Sequence, residues 1–159
     1  MLKRLATFFS PDGNAVTHAD PETLLRLAAA ALLVEAAIID GQFHEKERAA
    51  ITQVLSERFG LDDDETAELM GEAEIEVAES AQIFKFTRVI AETLEADERV
   101  AVIEMLWDVV FADGRVDDYE AALARRVAGL LHISDRDHAN ARRSARQRSL
   151  QASTGTVIE

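Results

Sequence analysis

Glu35-Ala-Ala-Ile-Ile-Asp40-Gly41-Gln-Phe43-His44-Glu45-Lys-Glu47 returns 73 residues later as Asp108-Val-Val-Phe-Ala-Asp113-Gly114-Arg-Val116-Asp117-Asp118-Tyr-Glu120. Every acidic residue of the first stretch meets an acidic residue in the second. Asp-Gly and the closing Glu are identical, and Ala49 and Val54 fall on Ala122 and Val127. In each copy an apolar run stops at Asp-Gly and an acidic, helix-opening segment follows. Glycine is the residue that takes the left-handed conformation at a helix C-terminus, and acids favour the first turn of the next helix. The stretch is therefore a duplicated helix–loop–helix, with repeat units at about 27–59 and 100–131.

Punctuation outside the repeat agrees. Asp20 stands as an N-cap before Pro21 at the first helical position, and the first long helix runs to about Asp40. The second spans His44 to Phe59 and stops at Gly60; Asp62 and Glu65 have capping-box spacing and open a third, to about Glu79. Ile83, Phe86 and Ile90 keep helical spacing within 81–94, and a further helix covers about Asp97 to Ala112. Asp117 and Glu120 repeat the capping-box spacing for a helix to about Leu131, and Ser134 caps a basic helix to about Arg148. The polar segment Ser149–Glu159 reads as a mobile tail. The fold predicted is all-α: a single-domain bundle of seven to eight helices over residues 21–148, preceded by an N-terminal segment 1–20 and followed by the tail 149–159. The two nearly all-apolar helices, 22–40 and 97–112, are expected at its centre.

Composition narrows the function. The 159-residue chain has no cysteine, which excludes disulfides, thiolate metal sites and cysteine nucleophiles. Its net charge is −13, concentrated at 62–120 (19 acidic, 4 basic), whereas 121–159 carries 3 acidic and 7 basic residues. Such an acidic body repels nucleic acid and attracts cations or basic partners. No apolar run reaches the length of a membrane span. Met1 to Phe9 lacks a secretory core and reads as a short amphipathic helix, with Leu2, Leu5, Phe8 and Phe9 on one face. It either packs back on the domain or touches an anionic membrane surface. The location expected is cytoplasmic, with any membrane contact at the inner face.

The repeated acids admit two readings. As a calcium loop, the second copy matches the latter half of an EF-hand, but the first two ligand positions hold Val109 and Phe111, and Ala36 and Ile38 in the first copy. A true EF-hand is excluded. What remains in each loop is a set of hard oxygen donors, Asp40 or Asp113, Glu47 or Glu120, and Glu45 or Asp118, with Asp117 added in the second copy, suited to calcium or magnesium rather than zinc. Against this, Asp117 with Glu120, and Glu47 with position 44, have the spacing of helix caps. Asp40 and Asp113 sit at helix C-terminal ends, where the dipole disfavours a carboxylate by about 0.3–1 kcal/mol and something must offset it. Glu35 and Asp108 are each the lone charge in an apolar helical stretch, so each must be paired, exposed in a groove or protonated, either bonded to the adjoining loop or contributing to a shared acidic site.

Enzyme templates fail. His44-Glu45-Lys-Glu-Arg48 lacks the second histidine of a zinc protease, and no phosphate loop, nucleophile elbow or dinucleotide fingerprint occurs. His132 and His138 have no ligand-like spacing. Arg142, Arg143, Arg146 and Arg148 form a basic patch that suits an acidic partner or complements a helix C-terminus. No enzyme is expected.

The twin segments Ala37-Ile-Ile-Asp40-Gly41-Gln-Phe43-His-Glu-Lys-Glu47 and Val110-Phe-Ala-Asp113-Gly114-Arg-Val116-Asp-Asp-Tyr-Glu120, with Arg99 and Phe59-Gly60-Leu61-Asp62, resemble the TerB-like family over roughly 22–148. The family comprises helical domains related to tellurite-resistance protein B and to part of certain membrane-anchored DnaJ co-chaperones. The resemblance implies a non-enzymatic helical module, acidic residues proposed to hold divalent cations, and links to envelope stress or membrane-associated complexes. Asp40, Glu47, Asp113 and Glu120 match its acidic motif. His44 stands where the second copy has Asp117, leaving the first loop fewer oxygen donors. A metal-free interaction adaptor, or co-chaperone-like domain, is the alternative.

Overall fold

The computed structural model describes residues 21–39, 41, 43–79, 85–112, 116 and 118–157, with only the backbone of 21, 22, 24 and 153–157. Among these are seven helices and no strand: α1 (Pro21–Ile39), α2 (Glu45–Phe59), α3 (Asp63–Glu79), α4 (Lys85–Thr93), α5 (Ala96–Ala112), α6 (Asp118–Leu130) and α7 (Asp135–Val157). The all-helical fold is as the spacing predicts. The expectations for segment 1–20, the Asp20 cap and Ile83 lie outside the described residues.

The chain divides into two compact units, Met1–Leu94 and Glu95–Glu159, each holding one copy of the repeat. In the first, α1 packs against α2, α3 and α4, and α2 against α3. Residues Leu27 to Ala36 of α1 are all buried, which places this helix at the centre of its unit. Ala28 to Ala31 have no exposed surface, and four successive methyl side chains let neighbouring helices approach closely. Ile51 and Leu55, Leu69 and Met70, and Phe86 and Ile90 close the core from α2, α3 and α4. In the second unit α5 is central, packed along α7 and against α6. It buries Val102, Ile103, Met105, Leu106, Trp107 and Val110, while among the described side chains of α7 the buried apolar ones are Ala141 and Ala145, one turn apart.

The duplication extends into the turns. Gly60 ends α2 with φ +63°, and the Leu61 N–H reaches back to the Ser56 carbonyl at 3.0 Å. Asp62 and Glu65 then form a reciprocal capping box, with bonds of 3.1 and 2.8 Å. Seventy-two residues on, His132 takes φ 59°, the Ile133 N–H bonds the Ala128 carbonyl at 3.0 Å, and the Ser134 hydroxyl accepts from the Asp137 N–H at 3.1 Å. The register has dropped by one residue against the Asp-Gly loops, and the left-handed cap falls on histidine instead of glycine.

Two boundaries differ from expectation. Helix α5 begins at Ala96 because Glu98 accepts the Glu95 N–H at 2.9 Å. Helix α7 continues past Arg148 to Val157. No proline interrupts it, and the Ser149 hydroxyl donates to the Phe111 carbonyl at 3.4 Å, joining that turn to the end of α5.

Candidate functional site

Glu35, late in α1, is 5% exposed. Its carboxylate accepts the backbone N–H groups of Lys85 and Phe86, the first two residues of α4. These are donors that no helix satisfies internally, and they lie at the positive end of its dipole. The Oε1 atom is buried without a hydrogen-bond partner. Burial outweighs the two amides and the Lys85 charge, raising the Glu35 pKa to about 7. Among the described residues the Glu35 carboxyl thus bonds a helix start fifty residues further along the chain. Glu76, on α3, is also pushed above the ordinary carboxyl range by burial, with Lys85 opposing the shift and Glu79 adding to it.

Asp108 occupies the matching position on α5 and meets a different partner. Arg148 of α7 places Nη2 2.9 Å and Nε 3.3 Å from its Oδ1, and the same Nη2 lies 2.5 Å from Glu104 Oε1. Two carboxylates one turn apart share one guanidinium, whose pKa they raise against the opposing effect of its burial.

Glu47 accepts the His44 N–H at 3.3 Å, the cap its spacing predicts. Glu120 lies in the first turn of α6. Asp40, Asp113 and Asp117 lie outside the described residues. Gly41 has φ +72° and bonds the Ile38 carbonyl at 3.0 Å, the left-handed helix end expected there. Among the described residues no three His, Asp or Glu side chains gather as a metal site. Glu35, Glu47, Asp108 and Glu120 each have partners within the protein, and the further donors of a cation reading are Asp40, Asp113 and Asp117. All are hard oxygens, which fit calcium or magnesium.

Three groupings were not visible in the spacing. Arg99 Nη1 donates to the Leu131 carbonyl at 2.8 Å, covering the C-terminal end of α6. Trp107 donates its indole N–H to His138 Nε2 at 3.0 Å, with the Arg142 guanidinium 4.5 Å over its ring. In the first unit an open recess of about 550 Å³ lies between α2 and α3, lined by Thr52, Ser56, Asp63, Thr66 and Met70 among others. Arg48 and Glu74 also join these two helices, 2.6 Å apart.

A family model described as tellurite resistance protein TerB matches residues 26–143, from the second turn of α1 to the middle of α7. The chain belongs to the TerB family. Both Asp-Gly loops, Arg99 and the Phe59-Gly60-Leu61-Asp62 turn fall within the TerB match. No curated protein and no solved structure matches the sequence. Among the described residues no helix is long and apolar enough to cross a membrane.

Proposed function

We infer that this TerB-family chain is a non-enzymatic binding module whose helix-borne acids are structural. The observation that carries this reading is the pairing at the two matched positions. Glu35 is spent on the amides that open α4, and Asp108 on Arg148. A general acid or base must reach its substrate, whereas Glu35 is enclosed by core packing. On this reading the protein acts as an adaptor or co-chaperone-like domain, cytoplasmic or peripheral to the inner face of a membrane through residues 1–9. Its protein partners belong to stress- or envelope-linked complexes.

A second reading gives the Asp-Gly loops a divalent cation, calcium or magnesium before zinc. It is favoured by the family match spanning both loops and by the oxygen chemistry of Asp40, Asp113, Asp117 and Glu120. Thermal melting of EDTA-stripped protein, with and without millimolar calcium, magnesium or zinc, separates the two. A cation bound only by the folded state stabilises it by about 2.7 kcal/mol at 100 times its dissociation constant. The adaptor reading expects no shift with any ion. A shift abolished by Asp113→Asn establishes the cation at the second loop.

A further inference from the structure

Helix α3 carries eight acidic residues and no lysine or arginine. Residues 65–72 of it form one wall of an open recess of about 240 Å³, and the start of α1, at Thr23, Arg26 and Leu27, forms the other. Leu27, Leu61 and Leu69 make the lining apolar, while Glu65, Glu68 and Glu72 give it negative charge. Three carboxylates outnumber one guanidinium, and Arg26 already lies over the Phe59 ring, 5.9 Å from its centroid. The recess between α2 and α3 has a different character, because Thr52, Gln53, Ser56 and Thr66 make its lining polar. At about 240 Å³ the recess beside α1 is smaller than the roughly 300–1,000 Å³ of a small-molecule pocket. It suits one anchoring side chain of a segment lying across it.

The stretch Met1–Phe9 has the complementary chemistry. It holds Lys3 and Arg4 and no acidic residue, and Leu2, Leu5 and Phe9 follow the i, i+3, i+7 spacing of a helix that anchors in a groove. The entry point of the chain favours this stretch over a separate partner. Helix α1 begins at Pro21 and the recess opens beside Thr23, so residues 10–20 are the whole tether between Phe9 and the rim. Fully extended, that tether reaches up to about 40 Å. A short tether also holds its segment at about millimolar effective concentration, so weak contacts are enough to seat it.

We propose that residues 1–9 seat in the recess between α1 and α3, with a phenylalanine against Leu27, Leu61 and Leu69 and with Lys3 and Arg4 beside the α3 carboxylates. The seat and a membrane surface compete for one apolar face, so the seated segment is withheld from lipid. The contact is autoinhibitory towards membrane binding. The proposal takes no part of the module reading as a premise, and its failure leaves that reading unchanged.

The chain has no cysteine, so two introduced ones form a single possible disulfide within it. Ala6→Cys is combined in the full chain with Glu68→Cys, exposed at the recess, or with Gln53→Cys, exposed at the polar recess of the same unit. The effective concentration of each pair is read from its disulfide equilibrium in a glutathione buffer. The pair at Glu68 should exceed the pair at Gln53 by at least about tenfold. Adding Lys3→Glu and Arg4→Glu should bring it down towards the Gln53 value. Equal values for the two pairs, a value that the charge reversal leaves untouched, or disulfides formed between chains instead of within one each overturn the proposal. Equal values together with binding to phosphatidylglycerol vesicles would assign the segment to the membrane instead.

Discussion

Glu35 and Asp108 occupy one position of a duplicated sequence and resolve the same difficulty in opposite ways. Each places a carboxylate on a central, mostly apolar helix. In the first unit the carboxylate is answered by dipoles, the open N–H groups of α4. In the second it is answered by the full charge of Arg148, shared with Glu104. Dipoles leave the burial cost partly uncompensated, so Glu35 titrates near 7. The guanidinium meets its carboxylates with a full charge at the edge of the core, where they retain some contact with water. Equivalence in sequence thus carries over to position on the helix, but not to electrostatic role. A shared acidic motif is not by itself a shared ligand set.

The sharpest way to break this comparison is pH. A carboxyl at about 7 when folded and 4.5 when unfolded holds its proton more tightly in the native state. Its stabilisation is fully present below 4.5, declines as pH rises, and is lost above 7. Glu35→Gln removes this dependence. Urea unfolding should therefore show the variant gaining about 2–3 kcal/mol on the unsubstituted protein between pH 5 and 8. A constant difference across that range would show that Glu35 is not a desolvated acid.

Arg148→Gln comes next in size. It removes the guanidinium that Asp108 and Glu104, both mostly buried, share, and should cost about 1–2 kcal/mol in the same unfolding assay at pH 7. Adding Asp108→Asn should recover part of that loss, and strict additivity would deny the pairing. The smallest effects compare the two helix ends. His132 holds a left-handed conformation that Gly60 holds without a side chain. His132→Gly should stabilise by up to about 1 kcal/mol, and Gly60→Ala should destabilise by a similar amount. Equal and negligible shifts in melting temperature would remove the equivalence of the two turns.

Much of the fold was legible because its signals are local. Gly41 and Gly60 end helices in the left-handed conformation, and Asp62, Glu65 and Ser134 cap where their spacing placed them. Helix α7 runs past the end that composition predicts, because a small, polar segment reads as a tail and the bond from Ser149 to Phe111 spans 38 residues. The site residues follow the same division. Glu47 bonds to a neighbour three residues away and was readable as a cap. The partners of Glu35 and Asp108 come from 50 and 40 residues further along, and nothing in local spacing names them. His138 is similar, since its partner Trp107 lies 31 residues back. The one available clue was a histidine and an arginine a turn apart on a helix with few apolar positions.

The central claim is that Glu35 is a structural acid held by backbone amides and not a cation ligand. Carbon-13 NMR titration of the Glu35 side-chain carboxyl, with EDTA and then with millimolar calcium or magnesium, tests it most directly. The account predicts a midpoint near 7 that neither ion moves. A midpoint near 4.5 in EDTA, or a fall of a unit or more on adding either ion, would contradict it.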